Sequence, residues 1–155
     1  MQLLLVAVGT LRPALREVCD DYLGRFTRFM AIKERQVRQA GRAGHELLRR
    51  EAEGRRVLEA IPDNSDVVLL DLDGAQWSSE ELAAQLDAWR RKARDRTLII
   101  GGAAGVALGV RQRAGTVWSL GPLTLPHELA RVVVAEQLYR ASTILRGEPY
   151  HRGAR

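Results

Sequence analysis

Short apolar runs alternate with amphipathic segments along the chain, and this alternation constrains the fold more than any other feature. The run Val67–Leu72 is apolar at every position except Asp71, which is typical of a strand covered on both faces. Strands that alternate with helices in this way indicate an α/β fold with a parallel sheet. We predict strands at 3–8, 31–38, 67–72, 97–100 and 116–120, and helices at 13–29, 45–60, 78–94, 106–114 and 126–145.

Length and composition indicate a single domain. The 155 residues are enough to bury a real core, and the apolar share of 46% is that of an ordinary globular protein. There is no internal repeat, low-complexity tract or linker, so we predict one domain over residues 1–155. No apolar run approaches the roughly 20 residues of a membrane helix. The apolar start lacks the charged segment of a signal peptide and is predicted to be a strand.

The single cysteine, Cys19, excludes an internal disulfide and fits a reducing compartment. Because it lies in a helical segment beside Val18, we predict a small buried hydrophobic residue and not a reactive thiol. We therefore expect a cytoplasmic protein with no membrane partner.

The net charge of +5 is carried almost entirely by arginine, since Lys33 and Lys92 are the only lysines. Arginine binds phosphate through two parallel hydrogen bonds, which favours a polyanionic partner such as a nucleic acid. A GC-rich genome also produces arginine in place of lysine, so the charge alone leaves nucleic-acid binding open.

Two loops late in the chain predict a small-molecule site. The apolar run Leu98–Ile100 ends in the glycine-rich turn Gly101–Gly105, and the second loop spans Leu120–Leu125. Glycine lets a ligand approach the backbone closely, and ligands of parallel α/β sheets bind beyond the carboxyl ends of the strands. The chain has no dinucleotide fingerprint after its first strand, no phosphate-binding loop, and no HExxH, CxxC or G-x-S-x-G motif. We expect no metal.

The predicted last helix is apolar on more than one face. One stripe contains Ala130, Val134, Leu138, Ala141 and Leu145, and Leu129, Val132 and Val133 widen it. Such a helix must be covered on more than one side. Packing against both the sheet and a second copy of the chain would achieve this, so we predict a homodimer.

Five motifs occur in an order that resembles one known family. They are V-x-L-D-x-x-G (68–74), I-G-G-x-x-G (100–105), S-L-x-x-x-T-L-P-H (119–127), R-V-x-x-A-E-x-L-Y-R-A (131–141) and P-Y-H-R (149–152). Over its whole length the chain resembles the RlmH branch of the SPOUT methyltransferases. The resemblance implies a SPOUT fold with a C-terminal trefoil knot, and a homodimer. It also implies methyl transfer from S-adenosyl-L-methionine to N3 of a pseudouridine in 23S ribosomal RNA. The assembled ribosome is the expected substrate, because so small a chain has no separate RNA-binding domain.

The resemblance assigns roles to individual residues. The methyl donor would contact Leu70, Gly101, Leu120, Gly121, Pro122, Leu123, Thr124 and Leu125. The catalytic candidates are Arg140, Tyr150 and His151, and the substrate-binding candidates are His127, Arg131 and Arg152. Histidine suits proton transfer near neutral pH, and tyrosine stacks on exposed bases. We hypothesise that the tail of one subunit completes the site of the other.

Plainer roles stay open for several of these residues. Arg140 is four residues after Glu136 and could form an ion pair on the helix surface. His127 could only orient its loop, and the tail could be a docked structural segment. Two other functions compete: a non-catalytic RNA-binding protein, for which RNA binding would depend on salt but not on the methyl donor, and an α/β enzyme with a different adenosine ligand.

Overall fold

The computed structural model describes residues 1–41 and 44–154. In these ranges strands and helices alternate in the predicted order, which confirms the α/β class. The elements are β1 Gln2–Val8, α1 Pro13–Phe26, β2 Ala31–Val37, α2 Glu46–Ala60, β3 Asp66–Gln76, α3 Ser79–Lys92, β4 Arg96–Ile100, α4 Leu108–Arg113, β5 Thr116–Ser119, α5 His127–Leu145 and a 3₁₀ helix Pro149–Ala154.

The five strands form one parallel sheet in the order β2-β1-β4-β3-β5. The central strand β4 is buried along its whole length, as its apolar sequence predicts. The polar strand β2 lies at an edge of the sheet, where its charged side chains can meet water. The order of the strands does not fix the path of the loops between them, so the trefoil knot stays a prediction.

Helices cover both faces of the sheet and create two cores. The larger core packs α1, α3 and α5 against one face, and the smaller core packs α2 and α4 against the other. Cys19 is fully buried in the larger core, as predicted. Burial raises the pKa of its thiol to about 11, so the thiol is protonated at neutral pH and unreactive. No helix in the described ranges is long and apolar enough to cross a membrane.

The last helix, α5, is covered within its own chain. The helices α1 and α3 flank it while its apolar residues pack onto the sheet. Most of its apolar surface is therefore covered without a second subunit, while Leu129 stays exposed. The dimer itself stays a prediction from the family resemblance.

The third strand was predicted to end at Leu72, but β3 continues through Gly74 to Gln76. The pairing of β3 with β5 is interrupted between Leu70 and Ala75 and then resumes. A β-carbon on Gly74 would lie 2.6 Å from the carbonyl carbon of Trp118. The missing side chain thus lets β3 pass against the backbone of β5, which is a close approach and not a turn.

Helix ends differ from the prediction by a few residues. The start of α3 agrees: Ser78 Oγ accepts a hydrogen bond from the Glu81 amide at 3.1 Å, and the Glu81 carboxylate accepts one from the Ser78 amide at 2.7 Å. This helix ends at Lys92, because Ala93 adopts a left-handed conformation with φ 53°. The first helix ends at Phe26, three residues before the predicted end.

Candidate functional site

A cavity of about 520 Å³ opens at the carboxyl ends of β3, β4 and β5. Its walls come from the end of β3, the glycine-rich turn after β4, and the loop that leads from β5 into α5. This volume is typical of small-molecule sites. The lining residues are Arg50, Leu70, Asp71, Leu72, Ile100, Gly101, Gly102, Ala103, Gly105, Val106, Arg111, Leu120, Gly121, Leu123, Thr124, Leu125, Pro126, His127 and Ala130.

The glycine-rich turn brings bare backbone to the cavity wall. The Gly105 amide donates to the Gly102 carbonyl at 3.1 Å, and Gly105 has a φ of 87° that other residues rarely adopt. A β-carbon on Gly101 would lie 3.0 Å from Cγ2 of Val106. A side chain at position 101 would therefore be tightly packed and would occupy space at the wall.

The loop Leu120–Leu125 forms the opposite wall. Ser119 Oγ accepts a hydrogen bond from the Gly121 amide at 3.1 Å and fixes the start of the loop. Leu123 is 76% exposed although it lines the cavity, so a ligand could cover it. Of the residues predicted to contact a methyl donor, Pro122 alone is not part of the lining, and the structure brings the others together around one cavity.

Charged groups that the sequence reasoning missed stand in the wall. Arg111 forms an ion pair with Asp71, and Arg50 Nε donates to the carbonyl of Ala104 at 2.8 Å. Asp71 could have been found as the one charged residue in the apolar run Val67–Leu72. Arg50 comes from α2, 54 residues before Ala104 in the sequence, and it is not part of any motif. In the described ranges, no group of three or more His, Cys, Asp and Glu side chains could hold a metal ion.

His127 is the first residue of α5 and lines the cavity. The neighbouring side chain, Glu128, accepts a hydrogen bond from the Arg12 amide at 2.7 Å. This bond attaches the loop after β1 to the first turn of α5. The first turn of α5, which carries His127, is therefore held in place beside the cavity.

The predicted catalytic tail does not reach this cavity in its own chain. Tyr150 donates to the Glu136 carboxylate at 3.0 Å, and its ring centre lies 4.7 Å from that of Tyr139. Arg140 pairs with Glu136 at 2.7 Å and lies over the Tyr150 ring at 4.9 Å. Glu136 is about 9 Å along the helix axis from Ala130, the last cavity residue of α5.

The environment of Tyr150 keeps its hydroxyl protonated. Burial raises the pKa of Tyr150, and its contacts with Tyr22 and the negative charge of Glu136 act in the same direction. The hydroxyl can donate a hydrogen bond but cannot act as a base at neutral pH. The neighbouring His151 is partly buried, and its Nδ1 has no hydrogen-bond partner among residues 1–41 and 44–154. Arg152 is exposed beside it.

Arg131 was predicted to bind substrate, and the structure corrects this. Its side chain is fully buried. It donates to the Gly9 carbonyl at 3.0 Å and to Gln36 at 2.7 Å, and it pairs with Glu34 at 3.4 Å. Burial lowers the pKa of Arg131, while the charge of Glu34 opposes that shift. The residue joins α5 to β1 and β2, so its role is structural.

Comparisons with known proteins agree with this architecture. A family model described as "Predicted SPOUT methyltransferase" matches residues 1–151. The proteins named ribosomal RNA large subunit methyltransferase H from Methylococcus capsulatus and Thioalkalivibrio sulfidiphilus are each 43% identical to this chain. The alignments cover 98% of this chain and 100% and 99% of the relatives.

A comparison of structures gives the same fold. A "probable methylase family protein" from Haemophilus influenzae Rd KW20 superposes with a TM-score of 0.57 at 12% identity. The match covers 96% of this chain and 69% of that protein. The family model, the curated relatives and the superposed structure all agree. The chain therefore belongs to the SPOUT methyltransferases, in the branch of ribosomal RNA large subunit methyltransferase H.

Proposed function

We propose that this protein transfers a methyl group from S-adenosyl-L-methionine to N3 of a pseudouridine in 23S ribosomal RNA. It would act in the cytoplasm on the assembled ribosome, as a homodimer. The observation that carries the proposal is the cavity between the glycine-rich turn and the loop Leu120–Leu125, in a chain 43% identical to ribosomal RNA large subunit methyltransferases.

The residues of the cavity fit a nucleoside-containing methyl donor. Leu120, Leu123 and Leu125 offer an apolar surface for an adenine ring, and the bare backbone at Gly101 allows close approach. Asp71 offers a carboxylate that can accept hydrogen bonds from ribose hydroxyls, and Arg111 holds it in place.

The chemical demands on the protein are modest. S-adenosyl-L-methionine, when bound, supplies a methyl group already activated by a positive sulfur. The chain's own residues then have to hold the pseudouridine N3 in line with that group and accept the N3 proton. His127 stands at the cavity and can bind the acceptor base, and His151 is the candidate that accepts the proton. Tyr150 and Arg140 would orient the base.

The position of the tail supports an active site shared between two subunits. Tyr150 packs on the middle of α5, away from the cavity of its own chain. The exposed apolar residues Val18 of α1 and Leu129 of α5 provide a surface on which a second copy could pack. In such a dimer the tail of one copy, with His151 and Arg152, would lie over the cavity of the other.

Replacement of His151 tests the role of the tail. We expect His151→Ala to lower the single-turnover rate of methyl transfer about 100-fold, the usual contribution of a general base. The affinity for S-adenosyl-L-methionine, measured by calorimetry, should not change. An unimpaired single-turnover rate would show that His151 is not the base.

Mixed dimers separate a shared site from a site within one chain. A subunit with an obstructed cavity, Gly101→Val, would be combined with a His151→Ala subunit. If the tail acts across the dimer, one site of each mixed dimer contains an intact cavity and an intact tail, and activity returns. If the tail acts on its own cavity, the mixture stays inactive.

Labelled methyl transfer tests the proposed function. Ribosomes from a strain lacking this protein would be incubated with labelled S-adenosyl-L-methionine, with and without the target pseudouridine. We expect label in 23S RNA only when the pseudouridine is present. Donor binding without label would assign a different substrate. Salt-sensitive RNA binding with no donor binding would favour the non-catalytic alternative.

A further inference from the structure

The acidic and basic side chains of the edge strand β2 lie on opposite faces of the sheet. Glu34 points to the side of α1 and α5, where it pairs with Arg16 at 2.6 Å and with the buried Arg131. Lys33 and Arg35 alternate with Glu34 and therefore face the side of α2. The strand thus presents its cations on one face and its acid on the other.

The helix α2 adds cations to the same side. Arg56 NH1 donates to the carbonyl of Arg38 at 2.6 Å, and Arg35 NH1 donates to the carbonyl of Ala60, at the end of α2, at 3.1 Å. Arg49 is two helical turns before Arg56 and lies on the same side of α2. Arg38 follows β2, with its backbone against Arg56 and its side chain exposed. We call Lys33, Arg35, Arg38, Arg49 and Arg56 the α2–β2 basic surface.

Among the residues that the structure describes, the five cations of this surface form no ion pair, although the buried Glu53 lies between Arg49 and Arg56 on the same side of α2. In the described ranges no carboxylate lies within ion-pairing distance of its five residues, and the hydrogen bonds of Arg35 and Arg56 go to uncharged carbonyls. Arg16, Arg131 and Arg140, by contrast, are paired with acids. Carbonyl contacts fix the guanidinium groups in space and leave their charge and remaining N–H donors free for a ligand.

The surface and the cavity share the carboxyl edge of the sheet, where β1 lies between β2 and the cavity strand β4. Arg38 directly follows β2, and the Val37 carbonyl accepts a hydrogen bond from the Gly9 amide at 2.9 Å, at the carboxyl edge of the sheet. Arg49 precedes Arg50, whose guanidinium lines the cavity. Lys33 and Arg35 are about 7 Å apart along the strand, a spacing similar to that of successive phosphates in a nucleic-acid strand.

We propose that the α2–β2 basic surface binds the phosphate backbone of the ribosomal RNA that flanks the methylated nucleotide. Arginine forks bind phosphate oxygens in pairs, and such contacts position a nucleic acid without reading its sequence. The surface would guide the RNA from β2 and α2 toward the cavity. This inference rests on the proposed function, because it assumes that ribosomal RNA is the substrate.

Charge removal tests the surface. The triple variant Lys33→Gln, Arg35→Gln, Arg38→Gln changes three exposed side chains. Its control, Arg90→Gln, Arg91→Gln, Lys92→Gln at the end of α3, removes the same charge from another face. Binding to ribosomes lacking the modification would be measured at several salt concentrations. Donor affinity, measured by calorimetry, and urea unfolding would confirm that both variants keep the cavity and the fold.

We expect the triple variant in and after β2 (the β2 variant) to bind ribosomes about 10- to 100-fold more weakly than the wild type. The slope of log binding constant against log salt concentration should become shallower by about one for each lost phosphate contact. The α3 control should bind like the wild type. Unchanged binding by the β2 variant, or an equal loss in the control, would overturn the proposal. If the wild type binds ribosomes through this surface but transfers no methyl group, the surface stands and the proposed function fails.

Discussion

Gly101→Val is expected to abolish donor binding while leaving the chain folded. The β-carbon would already lie 3.0 Å from Val106 Cγ2, and the two further methyl groups of valine would enter the cavity. We expect the dissociation constant for S-adenosyl-L-methionine, measured by calorimetry, to rise at least about 100-fold, equivalent to about 2.7 kcal/mol. Methyl transfer should be lost with it. Crowding of this kind lowers the free energy of unfolding by about 1–3 kcal/mol.

Two further variants make this prediction specific. Gly101→Ala adds a single methyl group, so it should weaken donor binding less than Gly101→Val does. Gly24→Ala is the control, because a β-carbon on Gly24 in α1 would meet no atom within 4 Å. Wild-type donor affinity in Gly101→Val would show that the donor does not lie against this turn.

Arg131→Ala is expected to cause the largest loss of stability. The guanidinium is fully buried between α5 and the ends of β1 and β2. Its removal would leave the Val8 and Gly9 carbonyls without this donor. Removal of one member of a buried ionic network costs about 3–5 kcal/mol. We expect a decrease of this size in the free energy of unfolding, measured by urea denaturation.

An exposed ion pair provides the comparison. Arg146 pairs with Glu148 at 3.2 Å near the end of α5, with both side chains partly exposed, so Arg146→Ala should cost only about 0.2–1 kcal/mol. Arg131→Met keeps much of the side-chain volume but loses the charge and the donors. If Arg131→Met were as stable as the wild type, packing alone would account for this position.

The sequence predicted the order and class of the elements because each carries its own periodic pattern. The apolar run of β3 is such a local signal, and the strand is present in the structure. The extension of β3 beyond Gly74 was missed, because the close approach of β5 is a tertiary contact that no local pattern encodes.

The candidate site likewise contains residues that local sequence patterns predict and residues that only tertiary contacts bring together. The residues near Gly101 and Leu120 follow strands directly, so the topology brings them together at one edge of the sheet. Arg50 reaches the cavity from α2, and Arg111 is fixed by Asp71. Neither position carries a signal in the sequence. The motif around Arg131 suggested a role in substrate binding. Its burial, however, depends on hydrogen bonds to Gln36 and Val8, which lie 95 and 123 residues away in the sequence.

The measurement that tests the central claim most directly is the identity of the modified nucleoside. Ribosomal RNA from a strain lacking this protein would be compared with RNA from the same strain after the protein is restored, by digestion, chromatography and mass spectrometry against synthetic standards. We predict that restoration produces N3-methylpseudouridine at one position of 23S RNA and that Gly101→Val does not. A methyl group on another atom or another RNA, or the same nucleoside with Gly101→Val, would contradict the account.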